Sequence, residues 1–191
     1  MDHARHHWSD RRNRDLDGLR SRYVYLITGG FMVVVRRSAG IMLYQVDQND
    51  LKVLLVHPGG PFWAHRDLGA WSIPKGEYDG AEPPEEAARR EFEEELGTPY
   101  LGSLLDLGEL RQNSGKRVTA YAGNGPFDIA GVRSNVFEME WPPHSRKRQS
   151  FPEVDRAEWF SADEARRRII PAQTVFIDRL LARLDLASSK G

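Results

Sequence analysis

Apolar side chains along this chain come mostly in short alternating runs, interrupted by segments in which they recur every third or fourth residue. Val33–Arg37, Ser38–Val46 and Lys52–Val56 carry the β pattern, with a turn around Gln48–Asp50 where Asn and Asp side chains can bond the local backbone. His57–Ala70 is a loop rich in Gly, Pro and aromatics. The period changes at Pro84–Leu96, where Ala88, Phe92 and Leu96 fall at i, i+4 and i+8 and predict one buried helical stripe. Pro83 and Pro84 suit its start, and Gly97 followed by Pro99 its end. Leu104–Arg111 and Arg117–Ala122 read as strands joined by a turn through Asn113–Gly115. Asn135–Trp141 reads as another, with Phe137, Met139 and Trp141 on one face and Glu138 and Glu140 on the other. A basic loop, Pro142–Gln149, follows. Ser161 with Glu164 three places later forms a capping-box pattern, Pro171 breaks that helix, and Val175–Leu186 makes a final amphipathic one. Strands flanking a central helix, with helices closing the chain, predict a mixed α/β sandwich.

Composition narrows the class. The 191 residues favour one domain, with ordinary hydrophobic (40%) and charged (29%) fractions for a globular protein. No cysteine is present, which removes disulfides, thiolate metal sites and Cys nucleophiles together. The apolar runs are too short for a membrane helix, and the start of the chain lacks the layout of a signal peptide. A cytoplasmic protein without membrane association is expected. The net charge of −1 argues against a dedicated nucleic-acid binder. It hides a lopsided start, because residues 1–22 hold six Arg and three His. Residues 1–31 are expected to be a mobile or dispensable extension, with Met32 as an alternative initiator, and residues 32–188 the domain. An Arg-rich arm contacting nucleic acid or a partner is the competing reading. The oligomeric state is not legible.

The informative stretch is Gly76–Thr98. At about 100° per residue, Glu91, Glu94 and Glu95 share one helix face within about a turn. Each like-charge pair costs a few tenths of a kcal/mol there, roughly 0.2–0.5. A solvated acidic face is the bland reading of such a run. A hard divalent cation is the sharper one, since oxygen ligands turn that repulsion into ligation and substrate phosphates complete the shell. Gly76, Glu82 and Gly97, at set distances from the Arg90–Glu91 pair, are not required by a solvated face.

These residues resemble the signature of the Nudix hydrolase family: Gly, five residues, Glu, seven residues, Arg-Glu, an apolar residue, one residue, Glu-Glu, one residue, Gly and a second apolar residue. Gly76, Glu82, Arg90, Glu91, Glu94, Glu95 and Gly97 meet every fixed position, Phe92 fills the first apolar one, and Thr98 departs at the last. The resemblance implies an α/β/α sandwich around a mixed sheet, and an enzyme cleaving a phosphoanhydride in a nucleoside-diphosphate-linked small molecule with Mg2+ or Mn2+. It implies that Glu91, Glu94, Glu95 and the Gly76 carbonyl hold metal, that Arg90 orients the carboxylates, and that Glu82 pairs with Arg90. Metal ions would neutralise the phosphoanhydride and activate an in-line water. Glu94 is the first candidate for the base that takes its proton, with Glu140 and Glu153 as later-segment alternatives.

The segments Trp71–Glu77 and Arg37–Gly40 look like the diadenosine-polyphosphate-cleaving branch, which makes Arg37 and Lys75 candidate phosphate contacts. Phe62, Trp63 and Trp71 offer flat faces for a base; Trp71 is read as core, and Trp63 is retained as a substrate contact. Arg111, Lys116 and Arg117 flank a hairpin, and His144, Arg146, Lys147 and Arg148 form the basic loop. Arg111 is retained as a substrate contact and the others are read chiefly as solvated surface. NTP or dinucleoside polyphosphate is the favoured substrate class. The alternatives are an RNA 5′-end or nucleotide-pool pyrophosphohydrolase, or a non-catalytic nucleotide sensor, against which retention of every signature carboxylate argues.

Overall fold

A computed structural model describes the backbone at residues 24–28, 31–48 and 50–188, and side chains from residue 36 to 184 except 49. The Arg-rich stretch over residues 1–22 lies outside the described residues. Strands β1 (Val24–Thr28) and β2 (Phe31–Val35) pair antiparallel as a separate ribbon. Val33–Arg37 is therefore not one strand, because the backbone leaves β2 after Val35 and enters β3 at Arg37. A domain boundary between residues 31 and 32 would cut through β2.

The central strand is β3 (Arg37–Asp47). It turns at Gln48 into the antiparallel β4 (Asp50–Pro58), and β7 (Arg117–Asn124) runs parallel to it from Arg37↔Arg117 to Tyr44↔Asn124. β6 (Leu104–Arg111) lies outside β7, with Gly108 at a positive φ where the register shifts. β10 (Val154–Ser161) lies outside β4, giving the order β10-β4-β3-β7-β6, and short β5 (Lys75–Glu77) pairs with the start of β3. The mixed sheet has helices on both faces, which is the α/β/α sandwich. Alternation on β3 sends Ile41 and Leu43 toward α1 (Pro84–Leu96), against Ala87, Ala88, Phe92 and Leu96. Met42 faces the other way with Trp71, toward α2 (Ala162–Arg168) and α3 (Thr174–Ser188), whose Phe176, Ile177 and Leu180 are buried.

Phe92 fills the α1 side, edge-on to Tyr100 and Phe127 with centroids 6.0 and 5.9 Å away. Phe92→Ala is expected to destabilise the fold by about 3–5 kcal/mol, read from denaturant midpoints. Trp71 is fully buried, as core packing requires, and donates its indole N–H to Asp67 at 2.8 Å. Ser161 caps α2 through Glu164 N–H at 3.4 Å, but the Glu164 carboxylate takes Arg167 and Arg168 instead of closing the box.

The basic loop Pro142–Gln149 is corrected at its end, since Arg148 and Gln149 begin β9 (Arg148–Pro152). β9 pairs with β8 (Val136–Glu140) as a separate hairpin, and the burial of β8 alternates as Phe137 and Met139 predict.

Candidate active site

The site is built where β5 meets α1. Pro84 opens the helix and Glu85 and Glu86 occupy its first turn, where negative charge suits the helix dipole. Gly97 closes it at φ 78°, donating its N–H to Glu93 O at 2.7 Å. Only a residue free to adopt the left-handed region ends the helix this way cheaply. The turn carrying Phe92 into the core also draws Glu91 inward, leaving it 9% exposed. Glu94, one turn on, keeps 41% of its side chain exposed.

Two backbone features hold these carboxylates. The Gly76 α-carbon lies directly against Glu91, so close that an added Cβ would sit 1.6 Å from Glu91 Oε2. The Lys75 N–H donates to Glu95 Oε2 at 3.0 Å. Arg90 joins the set from the helix. It grips Glu82 with two bonds of 3.0 and 2.9 Å, and its Nη1 donates to Glu91 Oε1 at 2.5 Å and to Glu94 Oε1 at 3.3 Å. One planar guanidinium thus fixes the loop and two carboxylates together.

The electrostatics follow from crowding. Burial pushes Glu95 from an ordinary 4.5 up to about 7; the Lys75 ammonium and amide oppose this, while Glu91 and Glu153 add to it. Glu91 is also raised, first by burial and then by Glu94 and Glu153, against the pull of Arg90. Burial would raise Glu77 too, but hydrogen bonds and charge from Arg36 and Lys116 outweigh it and hold it below the usual range. Glu91, Glu94, Glu95 and Glu153 with Lys75 and Arg90 border one cavity of about 750 Å³.

The NUDIX domain model matches residues 34–180. The chain belongs to the Nudix family. A curated relative, the RNA pyrophosphohydrolase of Rhodospirillum rubrum, is 28% identical over 142 residues, covering 69% of this chain and 83% of that protein. The m7GpppN-mRNA hydrolase dcap-2 of Caenorhabditis elegans is 30% identical over 94 residues, but these span 49% of this chain and only 10% of that protein. A C. elegans Ap4A hydrolase matches in fold with a TM-score of 0.53 and 20% identity over 78% of this chain and 98% of that one. The Nudix domain of Shewanella oneidensis NrtR, solved with ADP ribose, matches with 0.56 and 18% over 83% and 94%. Domain and hydrolase relatives together place the chain among Nudix-type pyrophosphohydrolases. Nudix hydrolases generally use divalent metal ions.

The Nudix cavity gathers Lys75, Gly76, Glu82, Arg90, Glu91, Glu94, Glu95 and Glu153 from the sequence-derived set. It does not gather five others, of which Gly97 ends α1 away from the lining. Glu140 sits at the end of β8 and accepts the Arg146 N–H at 2.9 Å, outside the lining. Trp63 packs under Arg66 in the loop after β4. Arg111 is exposed at the end of β6, and Arg37 starts β3 beside Arg117. Tyr78, Asp79 and Asn135 also line the Nudix cavity, and no signal in their own segments marked them. Asn135 enters because Glu153 N–H bonds its carbonyl at 2.8 Å, a pairing between residues 18 apart.

Proposed function

We propose that this chain hydrolyses a phosphoanhydride bond in a nucleoside-diphosphate-linked substrate, using a divalent cation. The observation carrying this reading is that Arg90 and the Gly76–Glu91 contact hold the signature carboxylates on one wall of one cavity.

The donor set fits Mg2+ or Mn2+: it is all carboxylate and carbonyl oxygen, and burial, with neighbouring like charges adding to it, already raises Glu91 and Glu95. Among the described residues, no three acidic or histidine side chains yet meet at one cation-sized point. Glu91, Glu94, Glu95 and the Gly76 carbonyl are the groups that would hold it. A bound cation would neutralise phosphate charge and acidify a water. The protein's own part is to orient carboxylates through Arg90, to offer the Lys75 ammonium to a phosphate, and to take a proton at Glu94. Glu153, facing the same cavity, is the alternative acceptor.

NTP or dinucleoside polyphosphate is the favoured substrate. An RNA 5′ end is the second reading, favoured by the relative matched along most of its length, which is an RNA pyrophosphohydrolase. A panel of NTPs, dinucleoside polyphosphates, ADP-ribose and 5′-triphosphorylated RNA, each with Mg2+ or Mn2+ and product identification, tests both. Failure of every phosphoanhydride on it would sink the proposal.

Metal binding carries a pH signature. Raised in the folded protein, the Glu95 pKa gives stability that is full below pH 4.5 and lost as pH rises through about 7. A cation must displace that proton. Mn2+ affinity by calorimetry is expected to tighten by up to about tenfold per unit up to pH 7 and then level off, while the metal-free protein loses thermal stability over the same window.

A further inference from the structure

The β8–β9 hairpin stands apart from the main sheet, yet its neck belongs to the catalytic cavity. Asn135 precedes β8 and Glu153 follows β9, both line the cavity, and their backbone bond of 2.8 Å closes the neck. The loop after β4 is bound to this hairpin. Gly59 N–H donates to Glu153 O at 3.0 Å, and Phe62 lies edge-on to Trp141 at 5.4 Å. Loop and hairpin therefore form one block rooted at the cavity.

The surface of that block is unusual in two ways. Phe62 is 58% exposed although bulky and apolar, and Arg66 lies over the half-buried Trp63 ring at 5.4 Å. Arg148 is paired with Glu138, whereas Arg66, Arg146 and Lys147 have no ion pair among the described residues. An exposed ring beside unpaired cations offers what a single nucleic-acid strand needs: a face on which a base stacks, and charge for its phosphates. Reach decides between a strand and a mononucleotide. Five residues at about 3.3 Å each place the hairpin tip roughly 17 Å from the neck. That is the length of about five stacked nucleotides at 3.4 Å per step.

Resting on the RNA 5′-end reading above, we infer that Phe62, Arg146 and Lys147 form a docking track for single-stranded RNA whose 5′ polyphosphate lies among the carboxylates. The near-neutral net charge is then no argument against nucleic acid, because a total over the whole chain does not report a local group of three unpaired cations.

The test pairs binding with turnover, using the full chain. Anisotropy of a 3′-labelled single-stranded RNA of about six nucleotides, titrated against salt, reads binding alone. Arg146→Gln combined with Lys147→Gln is expected to lower the log–log salt slope by about 1.4, and Phe62→Ala to weaken binding by about tenfold with the slope unchanged. In turnover, kcat/KM for 5′-triphosphorylated RNA is expected to rise with length up to about five nucleotides. These variants should remove that rise while hydrolysing a mononucleoside triphosphate at the parent rate. A parent protein that does not bind the RNA, or a salt slope that the double variant leaves alone, would overturn the track. RNA bound through these residues but not hydrolysed would uphold the track and defeat the hydrolytic reading instead.

Discussion

Glu94→Gln is expected to fold with an unchanged melting midpoint and to lose metal-dependent turnover by about 10²–10⁴-fold. Its side chain is 41% exposed and contributes nothing to the core, so the amide replaces the carboxylate without leaving a hole. An amide oxygen can still accept the Arg90 bond at 3.3 Å, which keeps the guanidinium in register with Glu82 and Glu91. What the amide cannot do is take a proton or supply a full negative charge. Steady-state kinetics beside a thermal melt separate these effects. Near-parent kcat in a folded Glu94→Gln, together with collapse in Glu153→Gln, would move the base to the junction before β10.

Gly76→Ala is expected to lower kcat by about 100-fold and to destabilise the fold by about 1–3 kcal/mol. The methyl would sit 1.6 Å from one oxygen of Glu91 and 2.5 Å from the other, both inside the 3.0 Å that non-bonded Cβ contacts essentially never cross. Glu91 would have to turn out of its niche and give up its bond to Arg90. Gly76 itself is paired to Ala39 and cannot retreat freely. Gly125→Ala is the matched control, since nothing lies within 4 Å of its added carbon. Equal rates for the two variants would show that the Gly76–Glu91 contact has no part in turnover.

The site helix was legible because its signals are local. A three-residue apolar stripe, a proline start, a left-handed glycine end and three stacked carboxylates all lie within 23 residues of chain. Arg90, Glu82 and Glu91 could be joined on paper for the same reason. β10 was illegible for the opposite reason. Val154 and Ala157 pack on the α1 side although three apart, because the register shifts between Val154 and Arg156, while Phe160 faces the opposite core, so no two-residue alternation shows. β5 is too short to show a period, and β9, Arg-Gln-Ser-Phe-Pro, has almost nothing apolar to alternate. Asn135 and Glu153 meet only when the β8–β9 hairpin closes, so their place in the cavity depends on a fold-level event.

The clip between β5 and β3 has a dynamic consequence. Ser38, Ala39 and Gly40 face Glu77, Gly76 and Lys75 on one edge and Val118, Thr119 and Ala120 on the other. β3, which backs the carboxylate wall, is thus an interior ply of the sheet, and peeling it away would disrupt both neighbours. Deuterium uptake at these amides should therefore track global unfolding and ignore catalysis. Whatever opens and shuts during the reaction has to be sought on the opposite wall.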